Sequence, residues 1–273
     1  VGKSKMTFIE SIIVGVVQGL TEFLPISSSG HIVITQNLFG LSSDNIAFEV
    51  FVHCGTLLSI IAIYYRDLWK MIVSFLGGLF SRNPGERYRE DSYFRLSIFV
   101  IIGTIPAVLA GLFLKDFIES IFHNVQLVGW TLIATALILL LTTWTRDQNK
   151  AISPPRSLWI GIAQMLAILP GISRSGSTIS MALYLGIPRR EAARFSFLLA
   201  VPAILGATIL ETGELLSGAV ELHWSLLLAG LVSAFIVGYG AILLLLRLLQ
   251  RGKFAWFSVY CFCLGIVVLV FIH

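Results

Sequence analysis

An acid, a histidine and an arginine stand beside Leu-Pro steps in stretches that are otherwise apolar. Glu22 and His31 flank Pro25-Ile-Ser-Ser-Ser-Gly30, and Arg174 sits inside Ser173-Arg-Ser-Gly-Ser-Thr178. Gln18 precedes Glu22 by four residues, which puts both on one helix face. A carboxylate inside a bilayer costs at least ~2.5 kcal/mol on insertion scales. Glu22 must then have a partner: a metal, Arg174, His31 or water. Gln18 is neither acid nor base, but its carbonyl can face a cation or orient a bound group. Ser27, Ser28 and Ser29 precede a short helix beginning near Gly30–His31. One serine there would be an ordinary cap; three, beside a histidine and below an acid, exceed what a cap requires. A helix start also binds anions through its free N–H groups. His31 is suited to activate a serine hydroxyl or to protonate a leaving oxygen. Arg174 is a fork of donors matched to phosphate, and Ser173, Ser175 and Thr178 extend that cradle. These are the parts of a site for a charged phosphate group. Glu49 and His53 are outer candidates; Glu10, His123, Glu211, Glu214, His223 and His273 read as interface or surface residues.

The two clusters are copies of one another. Gly15 aligns with Gly161, Gln18 with Gln164, Leu20 with Leu166 and Ser29-Gly30 with Ser175-Gly176, all at an offset of 146, with a one-residue slip at the prolines. The copies differ where chemistry would differ: the first adds Glu22 and His31, the second Arg174. A further stretch repeats at an offset of 127, pairing Gly103, Pro106, Ala107 and Gly111 with Gly230, Ser233, Ala234 and Gly238. Small residues at that spacing let helix backbones approach closely.

The elements that must hold these clusters lie in a membrane. Of 273 residues 56% are hydrophobic and 12% charged, about half the charge of a soluble domain. Cys54, Cys261 and Cys263 lie in apolar segments and read as small hydrophobes rather than as metal ligands or a disulfide. Phe8–Leu20 leads into the first cluster rather than to a small-residue cleavage site, so it reads as part of the fold. Six spans are expected, at Phe48–Tyr65, Phe94–Leu114, Gln126–Trp144, Ala193–Leu210, Trp224–Leu246 and Phe254–Ile272, each able to cross a ~30 Å hydrocarbon core. Phe8–Leu24 and Leu158–Leu169 instead stop at Pro25 and Pro170, and each resumes in a short run, Ile32–Leu38 or Ile179–Leu185. Such breaks at membrane depth need protein or a polar cavity around them, and we read both as re-entrant helix-loop-helix hairpins. Lys and Arg number six in Arg66–Arg95, one in Lys115–Val125, three in Arg146–Arg156, three in Pro188–Arg194, none in Glu211–His223 and three in Arg247–Lys253. The positive-inside rule makes these loops in, out, in, in, out, in, with Lys3 and Lys5 left outside against the trend. The expected fold is an all-α membrane protein, one integral domain over 1–273 made of two inverted repeats (about 1–150 and 151–273), six transmembrane helices and two re-entrant hairpins. The basic balance of +4 suits loop orientation and anionic lipids, not nucleic acid.

QGLTE (Gln18–Glu22), FLPISSSGH (Phe23–His31), PGISRSGST (Pro170–Thr178) and FSFLLAVPAILGA (Phe195–Ala207) resemble the undecaprenyl-diphosphatase family of the bacitracin-resistance type over nearly the whole chain. The resemblance implies a multi-pass enzyme of the inner (plasma) membrane that hydrolyses undecaprenyl diphosphate to the monophosphate and inorganic phosphate. That reaction recycles the lipid carrier for peptidoglycan and envelope polymers and confers bacitracin resistance. It also implies a divalent cation, Mg²⁺ or Ca²⁺, here facing Glu22 and Gln18; Gln18 departs from the more acidic form of the motif. Within the cluster it points to Ser28 as the nucleophile, with His31 and Glu22 handling the proton and Arg174 holding phosphate. Direct attack by water, with the serines only binding, stays open. Expected partners are the polyprenyl diphosphate and membrane lipids, and a homo-oligomer is compatible with the sequence. Broken helices in inverted repeats are also transporter architecture, so the rival reading is a polyprenyl-phosphate flippase.

Overall fold

The computed structural model describes residues 6–39, 46–81, 83–122, 124–217 and 223–272. Among them the regular structure is helical: α1 (Phe8–Phe23), α2 (Ser28–Phe39), α3 (Ile46–Leu79), α4 (Pro84–Glu90), α5 (Ser92–Phe113), α6 (Lys115–Phe122), α7 (Val125–Leu141), α8 (Pro154–Leu166), α9 (Arg174–Tyr184), α10 (Arg189–Ser217), α11 (Trp224–Gln250) and α12 (Phe257–Phe271). Six helical stretches are long and apolar enough to cross a membrane: Ala47–Leu79, Ser92–Phe113, Val125–Trp144, Arg189–Ile209, Trp224–Gln250 and Phe254–Phe271. They coincide with the six expected spans. The outer surface is apolar; all six tryptophans and residues such as Phe80 and Phe113 are exposed. A surface of that kind is stable only against lipid, and tryptophan suits the headgroup boundary.

Helix α3 runs further than its span. Its 34 residues include one non-helical position, Tyr64 (φ −108°, ψ 19°), after which the helix resumes to Leu79. The first part of the expected charged loop after Arg66 is therefore helix, because its apolar side packs inward: Met71 is buried, and its carbonyl accepts from Ser97 Oγ at 3.1 Å. Asp67 on this extension pairs with Arg194 at the start of α10 at 2.7 Å.

The first cluster begins with a capped helix. Thr7 Oγ1 accepts from the Glu10 amide at 3.3 Å and Glu10 returns the bond to the Thr7 amide at 2.7 Å, a reciprocal capping box. Glu10 is thus a cap. Helix α8 starts on Pro154 and Pro155, where missing N–H groups cost nothing.

The repeated glycines explain how α1 and α8 are seated. A Cβ on Gly15 would strike the Gly230 carbonyl of α11, and one on Gly161 would strike the Gly103 carbonyl of α5. Gly15 and Gly161 are equivalent in the repeat, as are Gly103 and Gly230. Each half therefore packs its broken helix against the other half's small-residue helix. Between them Gly129 of α7 and Gly265 of α12 each face the other's carbonyl.

Candidate functional site

Each cluster forms a helix–break–helix unit, and the two breaks meet. In the first, α1 ends at Phe23 because Leu24 turns extended (φ −66°, ψ 144°), as a residue before proline prefers. Ser27 has φ 68°, a left-handed conformation unusual for serine. It serves as the cap of α2: its Oγ accepts from the Gly30 amide at 3.2 Å and its carbonyl from the His31 amide at 3.2 Å. The second break is longer, 167–173, and turns on Gly171 (φ +90°). Ser173 caps α9 in the same way, its Oγ accepting from the Gly176 amide at 3.1 Å and its carbonyl from the Ser177 amide at 2.8 Å. The pairs Ser27–Ser29 and Ser173–Ser175 both place their hydroxyls 3.3 Å apart. The breaks interlock through glycine: a Cβ on Gly30 would lie 3.1 Å from Gly171 Cα, and one on Gly176 would lie 3.2 Å from Pro25 Cβ. Ser175 Oγ also reaches the Leu24 carbonyl at 3.4 Å.

In this matched frame Ser28 and Arg174 are equivalent first residues of α2 and α9, and both end on Glu22. Ser28 Oγ donates to Glu22 Oε2 at 2.6 Å, and Arg174 Nη2 donates to Glu22 Oε1 at 2.5 Å. The Glu22 side chain is 8% exposed and that of Arg174 18%. The pair is shielded from water, so its attraction is far stronger than at a surface. Gln18 Nε2 donates to Glu22 Oε2 at 3.2 Å, while Gln18 Oε1 is buried without a hydrogen-bond partner. A cavity of about 150 Å³ opens on Glu22, Ser28 and Arg174; Gln18 lies behind Glu22 and does not line it. Its polar lining is Thr21, Glu22, Ser27–Ser29, Ser173 and Arg174; Ala167, Ile168 and Ile172 form an apolar side. Two helix starts face one point, each with first-turn amides that have no intrahelical partner.

Some expected residues sit elsewhere. Both His31 ring nitrogens are engaged away from Ser28: Nδ1 with the Ser27 carbonyl and Nε2 with the Tyr260 hydroxyl, each at 2.7 Å. Thr178 is buried and bonds the Arg174 carbonyl at 2.8 Å and Ser196 Oγ at 2.6 Å, tying α9 to α10. Ser175 is buried between the breaks. His53 Nδ1 donates to the Glu49 carbonyl one turn back, at 2.8 Å, and neither residue lines the cavity. Lys3, Lys5, His123 and His273 lie outside the described residues, as do the side chains of Glu211 and Glu214.

Other groups support the breaks without belonging to either cluster. On α7, Thr131 Oγ1 donates to the Pro170 carbonyl at 2.5 Å; Thr135 Oγ1 donates to the Gly171 carbonyl at 2.9 Å and accepts from the Ser173 amide at 3.2 Å. On α12, Cys261 Sγ lies 3.4 Å from the Pro25 carbonyl. A signal for the threonines exists in the sequence, since hydroxyls four apart form a polar stripe on an apolar helix. Tyr260 and Ser196 carry no such signal.

Residues 11–267 match the family described as bacitracin resistance protein BacA. The chain is 43% identical over 270 residues to the undecaprenyl-diphosphatase of Desulfosudis oleivorans, covering 96% of this chain and 97% of that one. It is 43% identical over 264 residues to that of Korarchaeum cryptofilum, covering 97% and 99%, and 39% identical over 275 residues to that of Carboxydothermus hydrogenoformans, covering 97% of both. With a shared pattern running almost end to end, this chain belongs to the bacitracin resistance protein BacA family.

Proposed function

We propose that the chain is an undecaprenyl-diphosphatase of the plasma membrane, releasing inorganic phosphate and undecaprenyl phosphate and so returning the lipid carrier to envelope synthesis. One observation carries the reading: a serine hydroxyl and a guanidinium occupy the two oxygens of one buried carboxylate, at a cavity faced by two helix starts. The diphosphate sits in that cavity and the prenyl tail lies along the apolar side. The two breaks are re-entrant hairpins inserted from opposite faces, a reading supported by the loop-charge pattern and by the reciprocal glycine crossings.

Arg174 spends one of its five N–H donors on Glu22 and turns the rest to the terminal phosphate. Ser28 Oγ attacks the terminal phosphorus as the bond to the bridging oxygen breaks, and Glu22 Oε2 takes the hydroxyl proton. Glu22 then passes that proton to the departing lipid phosphate. Restored as a carboxylate, it accepts a proton from the water that attacks the phosphoserine and returns it to Ser28 Oγ as the Ser28–phosphorus bond breaks and inorganic phosphate leaves. Arg174 and the amides at the starts of α2 and α9 hold the charge spread over the phosphoryl oxygens. Stabilisation of that charge supplies most of the acceleration in phosphoryl transfer.

A divalent cation fits the donors present. Among the described residues no three His, Cys, Asp or Glu cluster, so a cage made only of protein ligands is not supplied. Gln18 Oε1, which has no hydrogen-bond partner, and the adjoining Glu22 carboxylate, shared with Ser28 and Arg174, are the oxygens that would face the cation, and Mg²⁺ is commonly held by one or two protein oxygens plus substrate phosphate. Bound there, Mg²⁺ or Ca²⁺ would neutralise phosphate charge.

Phosphate release from undecaprenyl diphosphate by the purified protein in detergent tests this function. Release should stop with a chelator, return with Mg²⁺ or Ca²⁺, and fail in Glu22→Gln at any cation level. A protein that moves the lipid but frees no phosphate would be a flippase instead.

A further inference from the structure

Tyr260 lies on α12, 229 residues from His31, and its hydroxyl meets His31 Nε2 at 2.7 Å. The two rings are parallel, with centroids 5.8 Å apart and planes within 3°. The other ring nitrogen, Nδ1, is 2.7 Å from the Ser27 carbonyl. A carbonyl only accepts, so Nδ1 carries a proton. In the neutral ring Nε2 is then the acceptor, and the Tyr260 hydroxyl donates to it.

The membrane sharpens this contact. Tyr260 stands about 9 Å along the span that starts at Phe254, at 1.5 Å per residue. A phenol hydroxyl at that depth strongly favours a partner over none. The neighbouring Cys261 touches the Pro25 carbonyl, so consecutive residues of α12 reach the first break at Pro25 and the first turn of α2 at His31.

We propose that Tyr260 is a positioning residue for the phosphatase reaction: its hydroxyl and ring fix the outer nitrogen of His31, whose other nitrogen is held by the Ser27 carbonyl, and so hold the first turn of α2, with Ser28, in place. Both ring nitrogens of His31 are thus held away from Ser28, and Glu22 is left as the base for Ser28. This rests on the phosphatase reading above, and the ring state can be measured apart from turnover.

The experiment combines kinetics with ¹⁵N spectra of histidine-labelled protein in detergent, wild type and Y260F, with H31Q assigning the His31 signals among the five histidines. Tyr260→Phe keeps the stacked ring and removes the hydroxyl. We expect His31 in the Nδ1–H tautomer in both proteins, held by the Ser27 carbonyl, with the Nε2 resonance moved to that of an unbonded nitrogen in Y260F. We expect kcat to fall roughly tenfold or more with KM within about twofold, the mark of misplacement rather than lost binding. Wild-type kcat in Y260F, or an unchanged ring spectrum, overturns the proposal. Should Y260F fail to fold, the wild-type spectrum decides alone, because an Nε2 resonance of an unbonded ring nitrogen contradicts the contact. Absence of phosphate release from wild type would sink the phosphatase reading while leaving the spectrum as the test of Tyr260.

Discussion

The two breaks share a scaffold and divide the chemistry. Ser27 and Ser173 cap their helices through the same hydrogen bonds, the first from a left-handed and the second from an extended backbone, and Ser29 and Ser175 stand at the same distance from them. Position 28 carries a hydroxyl where position 174 carries a guanidinium, and position 22 carries a carboxylate where its counterpart, Ile168, is apolar. The first break thus holds the groups that can exchange a proton, and the second holds the fixed cation. Glu22 joins them. Two helix starts bear on one cavity, and the differences at 22/168 and 28/174 make the site polarised. The supports differ as well. Thr131 and Thr135 bind the second break through three hydrogen bonds to its backbone, whereas α12 holds the first through a thiol and a Tyr–His contact.

That division predicts unequal damage. On the reactive side, Ser28→Ala should lower kcat by roughly 10³-fold or more, as loss of a nucleophile does, with membrane insertion and folding intact; Ser27→Ala and Ser29→Ala should cost less. Steady-state phosphate release measures both, and substantial kcat in Ser28→Ala would transfer the attack to water. On the anion-holding side, Arg174→Ala should cost about 10²–10³-fold in kcat/KM, the scale of a lost charge-stabilising donor. Arg174→Lys should recover little of it, since a point charge cannot reproduce the fork that spans Glu22 and phosphate.

Smaller effects separate the supports. Thr135→Val removes two buried hydrogen bonds to the second break, at about 1 kcal/mol each, and should lower the thermal midpoint in detergent by a few degrees. Cys261→Ala removes only a weak donor from the first break and should shift the midpoint by less. A Cys261→Ala midpoint below that of Thr135→Val would reverse the ranking of the two supports.

Much of this architecture was legible in the residues. Gly15, Gly103, Gly161 and Gly230 marked the close crossings because only glycine allows backbone there, although the offsets did not say which glycine meets which. Glu22, Ser28 and Arg174 stood out because a polar group is costly in an apolar run. His31 and Thr178 drew attention for the same reason, yet the fold engages His31 with Tyr260 and Ser27 and buries Thr178 against Ser196. Sequence spacing does not distinguish a hydroxyl facing a cavity from one facing a neighbouring helix. Tyr260 was silent because its partner lies 229 residues away and nothing local marks it; Ser196 stood within the Phe195–Ala207 stretch, but nothing there paired it with Thr178, 18 residues away. The α3 extension was hidden by Arg66, Asp67 and Lys70, which read as loop; in the fold Asp67 pairs with Arg194 of α10 and Lys70 stands over the Tyr93 ring of α5.

The division of labour between the breaks meets its sharpest test in calorimetric binding of undecaprenyl diphosphate, at one fixed Mg²⁺ concentration, to Ser28→Ala and Arg174→Ala held in the same detergent. Ser28→Ala should bind with near-normal affinity, because its missing atom acts mainly in the transition state. Arg174→Ala should lose roughly tenfold or more, given the ~1.5–3 kcal/mol of a charged hydrogen bond. Normal binding by Arg174→Ala together with lost binding by Ser28→Ala would contradict that division.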